Sequence, residues 1–168
     1  MKYFTKNILS ILFLAVVALQ VSCAGDKSTK RRKGSPKVEN QSKWFQAVLN
    51  GNSFLLNTLS KKVNVNAQRA SDGKTALHLA FEKEDTDMAR DLLSYGASSS
   101  KTIQDDEGNT PLHIAAMKNN VTLARLGDGY GPIKQRNKEG LTPERLAKNL
   151  KNYQVANYLS DSGFGQNK

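Results

Sequence analysis

The stretch "EGNTPLHIAA", Glu107–Ala116, begins with a turn signal and continues as the start of a helix. Thr110 supplies a side-chain oxygen that can cap a helix. Pro111 suits the first helical position because its missing N–H would be unpaired there anyway. Leu112 and the two small alanines that end the stretch allow close approach of a neighbouring helix. The stretch therefore predicts a tight turn followed by a closely packed helix.

The same phrase occurs twice more, as "DGKTALHLAF" from Asp72 and "EGLTPERLAK" from Glu139. Thr75, Thr110 and Thr142 are separated by 35 and 32 residues, which brackets the period of about 33 residues of one helical repeat class. These segments resemble ankyrin repeats, because threonine, leucine, histidine and alanine recur in phase in two units and partly in a third. The resemblance implies an all-α solenoid of helix-turn-helix units with short β-hairpin fingers.

The resemblance covers about residues 39–163, in four units expected at 41–70, 71–105, 106–137 and 138–163. The first unit lacks the threonine phrase, but Ala47 and Gly51 fall where the family has its alanine and inter-helix glycine. The last unit has Glu144 and Arg145 in place of leucine and histidine, as a terminal unit exposed on one side can. Because each unit buries its apolar face only against its neighbours, four units suffice for a stable core.

Residues 1–22 have the three-part plan of a secretory signal: two lysines, the apolar run "ILSILFLAVVAL", and small residues. This run is shorter than the roughly 20 residues that a membrane-spanning helix needs. The stretch "LQVSC" resembles a bacterial lipobox, which implies lipidation of Cys23. The alternative is ordinary signal-peptidase cleavage after Ala24, which would remove the cysteine. Export is predicted in both cases, and we favour the lipid anchor.

The net charge of +10 is concentrated at the amino terminus, where residues 1–38 carry eight Lys or Arg against one Asp. Residues 23–38, which include "DKSTKRRKGSPK", are interpreted as a flexible basic tether, and residues 164–168 as a flexible tail. The rest of the chain is nearly balanced. Because duplex binding needs clustered cations on one face, the sequence predicts no nucleic-acid partner.

The two histidines, His78 and His113, occupy the same slot in successive repeats. The resemblance implies that this histidine hydrogen-bonds the backbone of the adjoining hairpin. A general base would not be expected once per repeat, and the sequence offers no nucleophile or carboxylate pair to accompany it. The repeats also lack cysteine and a second histidine at metal-ligand spacing. We therefore predict no enzymatic activity, no metal and no cofactor.

The resemblance implies that the hairpin tips and the exposed sides of the first helices form one concave strip that binds other proteins. Met117 is the expected anchor, because a flexible apolar side chain among charges suits a contact surface. For any single residue of the strip, a solvated charged face is the alternative. Carried over by position, the strip contains Lys74, Glu82, Lys83, Glu107, Asn109, Met117, Lys118, Lys138 and Leu141.

Two departures from the family pattern add candidate contact residues. The stretch "SSSKTIQDDEGN" is two residues longer than the usual turn, which predicts an extended finger carrying Ile103 and an acidic run. In the third unit Gly127 and Asp128 replace the expected leucine pair. The second helix is therefore expected to stop near Leu126, at a cost to the core of about 2–4 kcal/mol. A glycine-rich loop carrying Tyr130 would then project from the unit.

Together these features predict a monomeric ankyrin-repeat protein in the bacterial periplasm, lipid-anchored to a membrane, that binds another envelope or periplasmic protein. By resemblance to envelope ankyrin proteins, it would protect the cell from one of its own enzymes, such as a cell-wall peptidase. Scaffolding in the envelope, or support of a periplasmic enzyme such as a catalase, is an alternative. A third possibility is a secreted effector directed at a host cell, with "KRRK" as a nuclear import signal.

Overall fold

The computed structural model describes residues 36–98, 103–128 and 134–162 of the 168-residue chain. The predictions for the signal segment, Cys23, the stretch before Pro36, Tyr130 and the tail lie outside the described residues. The described residues form eight helices and contain no strand. The all-α repeat solenoid is confirmed, and its fingers are hydrogen-bonded turns. None of the described helices is both long and apolar enough to span a membrane.

The helices come in four pairs, one pair for each expected unit. The first helix begins inside residues 23–38, which were expected to form a tether. Residues 36–38 are therefore helical and not part of a linker. The pairs are α1 (Pro36–Leu49) and α2 (Ser53–Ser60), α3 (Ala76–Glu82) and α4 (Thr86–Ser94), α5 (Pro111–Lys118) and α6 (Val121–Asp128), and α7 (Pro143–Asn149) and α8 (Tyr153–Ser162).

Polar side chains cap the helices at equivalent positions in the units. Thr75, Thr110 and Thr142 are the N-cap residues of α3, α5 and α7, each with extended backbone. In the second helices of the first two units, Asn52 and Asp85 accept a hydrogen bond from the amide three residues on, at 2.9 and 3.0 Å. These caps satisfy amides that a helix start leaves unpaired, so the sequence fixes where each helix begins.

The turn inside each helix pair passes through one residue in the left-handed region. These residues are Gly51, Glu84, Asn119 and Lys151, with φ between 53° and 66°. Glycine adopts this conformation freely, whereas glutamate and lysine are disfavoured there by about 1–2 kcal/mol. The packing of the pair therefore imposes the turn on whichever residue stands in that slot.

One hydrophobic core runs through the four units. The first helices pack side by side in one layer and the second helices pack in another. Trp44 in the first unit and Phe81 in the second are the largest side chains that are fully buried. Small alanines such as Ala115 and Ala147, also fully buried, let the helices of successive units approach closely.

α6 ends at Asp128, two residues beyond the end expected near Leu126, so Gly127 lies in its last turn. Gly127 is buried, and a Cβ atom there would lie 3.2 Å from Leu112 Cδ1 and 3.4 Å from Phe81 Cε1. Leu112 of the same unit and Phe81 of the preceding unit thus fill the space that a leucine would take. The expected loss of core packing is therefore offset by a neighbour, and Tyr158 donates a hydrogen bond of 3.1 Å to Asp128.

This exchange of volume predicts coupled effects on stability. Phe81→Ala should lower the free energy of unfolding by about 3–5 kcal/mol because it opens a cavity. Gly127→Leu should lower it by about 1–3 kcal/mol because the site is already full. In the double variant the leucine enters the cavity, so the combined loss should be smaller than the sum by at least about 1 kcal/mol. Urea unfolding of the four proteins measures this coupling.

Phe81→Ala combined with Gly51→Ala is the control, because Gly51 lies in the first turn and a Cβ there meets no atom within 4 Å. These two changes should be additive to within about 0.5 kcal/mol. Equal additivity for the Phe81 and Gly127 pair would show that the two sites do not exchange volume.

Candidate protein-binding face

Each of the two histidines ties its own helix to the next finger. His78 Nε2 lies 3.0 Å from the carbonyl oxygen of Asn109, and His113 Nε2 lies 3.0 Å from that of Leu141. A carbonyl can only accept, so Nε2 carries the proton in both rings. Nδ1 of His78 then accepts from the amide of Thr75 at 3.2 Å and from its hydroxyl at 2.8 Å. The predicted hydrogen bond to the adjoining hairpin is therefore present in both repeats.

Burial keeps both imidazoles neutral. It lowers the pKa of His78 to about 4 and also lowers the pKa of His113. The hydrogen bond to the carbonyl of the next finger opposes this shift but is the smaller effect in both cases. Both ring nitrogens are engaged by the fold, so these histidines position the fingers.

The fingers are tight turns whose backbones contact one another. Oδ1 of Asp105 accepts hydrogen bonds from the amides of Glu107 and Asn109, at 3.1 and 2.7 Å. The amide of Lys138 in the next finger donates to the carbonyl of Glu107 at 3.0 Å. Gly108 permits this stacking, because a Cβ there would lie only 2.8 Å from the Lys138 nitrogen. The fingers of the last three units therefore form one continuous edge.

A groove of about 320 Å³ lies between these fingers and the first helices of the third and fourth units. We call it the third-unit groove. Its lining includes four of the predicted contact residues, Glu107, Asn109, Met117 and Lys138, together with Leu146 of α7. Met117 is 40% exposed, although it is apolar. The structure thus brings the expected anchor together with an acidic and a basic side chain.

Several other predicted contact residues hold the fold together. Asn109 is buried, and its Oδ1 accepts from Asn137 Nδ2 at 3.1 Å. Lys74 and Glu82 form an ion pair with each other, which raises the pKa of Lys74. Lys83 Nζ donates to the last carbonyl of α1. These groups are already engaged within the chain, so they offer less to a partner than the sequence suggested.

The remaining predicted residues are distributed along the same side of the units. Lys118 is exposed at the end of α5, and Leu141 is half-buried with its carbonyl bound by His113. Ile103 is half-buried and precedes Gln104 on the limb of the second finger, whereas the turn itself lies at residues 106–108. The extended finger stays a prediction, because residues 99–102 lie outside the described residues, and Asp105 of the acidic run is buried next to the turn.

The sequence analysis missed a second and larger groove, of about 630 Å³, beside α1 in the first unit. We call it the first-unit groove. Val38 at its rim is 63% exposed. The first unit lacks the threonine phrase on which the predicted contact residues of the later units are based. The apolar spacing of Val38, Phe45 and Leu49 along one face of α1 was the available signal. Within the residues described, no group of His, Cys, Asp and Glu could hold a metal ion.

Stacked helix pairs with fingers along one edge define a helical repeat solenoid. The family model for ankyrin repeats, in three copies, matches residues 44–131. The chain belongs to the ankyrin-repeat family, which is in general a non-catalytic protein–protein interaction module. The units described here are therefore a module for binding proteins.

Curated relatives share the repeats over a small part of their length. The chain is 43% identical over 77 residues to the nuclear factor NF-kappa-B p105 subunit of Gallus gallus, which covers 46% of this chain and 8% of that protein. It is 34% identical over 91 residues to Rabankyrin-5 of Mus musculus, which covers 53% of this chain and 8% of that protein. It is 35% identical over 94 residues to the neurogenic locus Notch protein of Drosophila melanogaster, which covers 55% of this chain and 3% of that protein.

The buried histidines predict a stability that falls as the pH decreases below neutrality. An unfolded histidine has a pKa of about 6.5, whereas that of folded His78 is about 4, so the unfolded state binds more protons between these values. The free energy of unfolding should fall by up to about 1.4 kcal/mol per pH unit for each fully shifted histidine. Urea unfolding between pH 7 and pH 5 measures the slope.

The window from pH 7 to pH 5 separates this effect from acid titration, since the hydrogen bond from Arg69 lowers the pKa of Asp72 to about 2. His113→Gln should reduce the slope relative to the native chain, and His78→Gln should reduce it more. A slope unchanged in both variants would mean that other groups produce the pH dependence.

Proposed function

We propose that this chain is exported, anchored to a bacterial membrane through lipidated Cys23, and binds another envelope protein through its third-unit groove. The partner we propose is a cell-wall hydrolase, such as a peptidoglycan peptidase, whose activity the bound module restrains. The exposed Met117 in the groove is the observation that carries the proposal. The signal pattern and the lipobox-like "LQVSC" of the sequence support the location.

The third-unit groove has the features of a contact surface. Met117 is an exposed apolar side chain, and beneath it Leu146 is only 8% exposed, so the floor of the groove is apolar. Its charged lining consists of three carboxylates and one amine, those of Asp106, Glu107, Glu139 and Lys138. An apolar anchor inside a polar rim is the usual arrangement at binding hot spots.

The groove is also held in shape before any partner arrives. Its walls are fingers joined by the hydrogen bond between Lys138 and Glu107 and by that between Asn137 and Asn109. A rigid edge loses little conformational freedom on binding, which favours affinity. Such an edge can enter an active-site cleft and block it, and this supports inhibition of an enzyme over a loose scaffold.

A non-catalytic role is part of the proposal. Both ring nitrogens of His78 and His113 are hydrogen-bonded to neighbouring threonines and finger carbonyls. The rings therefore have a structural role. Restraint of a hydrolase therefore rests on occupation of its cleft and not on chemistry carried out by this chain.

Met117→Asp should weaken the complex with the envelope partner at least about tenfold, because the change places a charge in the apolar contact. The full-length chain in detergent is used for affinity capture from an envelope extract, and the captured hydrolase is then assayed with and without the chain. Tyr153→Asp is the matched control, since Tyr153 is also apolar and 61% exposed but lies outside the third-unit groove.

Capture of a cell-wall hydrolase that is inhibited by the native chain, but not by the Met117 variant, supports the proposal. If no envelope hydrolase forms a complex, inhibition is excluded. If a catalase or similar enzyme is captured with unchanged or increased activity, the chain is a support protein. If the mature chain is found only outside the envelope fractions, it is a secreted effector.

The proposed anchor gives a separate prediction. Cys23→Ser removes the sulfur to which a lipid would be attached, so the lipoprotein signal peptidase loses its substrate and the unprocessed precursor should accumulate. Globomycin, which blocks the lipoprotein signal peptidase, should make the precursor of the native chain accumulate. Unchanged processing in both experiments would remove the lipid anchor from the proposal.

A further inference from the structure

The first-unit groove has an apolar floor. It lies between α1 and the first finger, residues 64–70, and its volume of about 630 Å³ is in the range of roughly 300–1,000 Å³ that is typical of ligand sites. Val38, Phe45 and Leu49 follow one another along α1 at helical spacing and line this floor. Val38 is largely exposed in a position where a bound chain would cover it.

This groove continues the contact surface of the later units. Leu49 stands two residues before Gly51, as Met117 stands two residues before Asn119, and both of these turn residues have a positive φ. Leu49 therefore has in the first unit the position that Met117 has in the third. Between them, in the second unit, stands Glu82, which is paired with Lys74.

The charged residues that line the first-unit groove are of one sign. They are Lys37 and Arg69, and no carboxylate is among the described residues that line it. Asp72 engages Arg69 through Nε, at 2.9 Å, and through Nη2, so the charge of Arg69 is offset within the chain, whereas Lys37 forms no ion pair within the described part of the chain. The groove is therefore complementary to an anionic group on an apolar chain.

Two N–H groups on the same stretch of α1 lack an acceptor. Gln41 lines the groove and its Oε1 accepts from the amide of Asn64 at 3.1 Å, but its Nε2 is buried with no partner in the described residues. Trp44 Nε1, one turn further on, is likewise buried and without a partner there. Buried donors normally have acceptors, and rotation of the Gln41 side chain toward the groove would let a seated chain supply a carbonyl oxygen.

We propose that the first-unit groove binds an extended segment of the partner protein in which an apolar side chain lies next to a carboxylate. The apolar side chain would rest on Val38, Phe45 and Leu49, and the carboxylate would lie near Lys37, the cation of the groove that has no ion pair in the described residues. This inference rests on the proposed function as a protein-binding module. The stretch that precedes Pro36 is a poor occupant, because "DKSTKRRKGS" has five basic residues and one acidic residue.

The test selects a displayed library of random peptides against the full-length chain in detergent. Enriched peptides are then synthesised and titrated while the fluorescence of Trp44 is followed, since this is the single tryptophan of the chain. We expect peptides that combine aliphatic or aromatic residues with Asp or Glu, that change the emission of Trp44, and that bind more weakly as salt is raised.

The variant that tests the site is Lys37→Glu with Val38→Glu, two exposed positions whose change should leave the thermal unfolding midpoint nearly unchanged. It should weaken binding of the enriched peptides at least about tenfold. Lys62→Glu, exposed and outside the groove, is the matched control and should weaken binding less than about twofold.

The outcomes separate this inference from the proposed function. Enriched peptides that bind the double variant as well as the native chain, or that are basic, overturn the first-unit site. If those peptides instead lose binding with Met117→Asp, the third-unit groove still stands. A library that yields no binding peptide overturns the first-unit site alone, because the third-unit groove is tested by the envelope capture.

Discussion

The hydrogen bonds of the two buried histidines hold successive units in register. Each imidazole accepts from the threonine that begins its own helix and donates to a carbonyl of the next finger. One side chain thus fixes both the start of a helix and the position of the neighbouring turn. The ring must stay neutral to accept one hydrogen bond and donate the other. Burial lowers its pKa and so keeps it neutral. The finger edge, and with it the shape of the third-unit groove, depends on this arrangement.

The fold could be predicted in detail from the repeated phrase. Thr75, Thr110 and Thr142 begin their helices as expected, and the structural role of the histidines followed from their recurrence. These features are local or repeat with a fixed period, so a single sequence contains them. The start of α1 at Pro36 was not anticipated, because the basic composition of the preceding stretch obscured it.

The errors arose where the outcome depends on a neighbouring unit. Gly127 looks like a loss of core packing when its unit is considered alone, but Phe81 from the previous unit lies beside it. Asn109 looks like a surface residue until the next finger is stacked on it and Asn137 binds its side chain. Contacts between units depend on pairs of positions about one period apart, and a pattern within one unit does not contain them.

The predicted contact residues fall into two groups. The side chains of one group already make contacts within the chain, and those of the other group do not. Asn109, Lys74 and Lys83 are engaged in hydrogen bonds or ion pairs that join fingers or units. Met117 contributes only its backbone carbonyl, which accepts from Asn152 Nδ2 at 3.0 Å, and its apolar side chain is exposed. Groups that are free of structural duties are the ones whose identity can change with the partner while the fold remains.

The contact between Phe81 and Gly127 also means that the units of this solenoid are not interchangeable. If a second copy of residues 71–105 were inserted directly after the native ones, Leu92 of the copy would take the place of Gly127. It would then lie against the ring of Phe81. Removal of the 106–137 unit would bring Leu159 to the same place. Growth or shortening of this array by whole repeats would therefore require a compensating change at the junction, which favours a fixed number of units in this lineage.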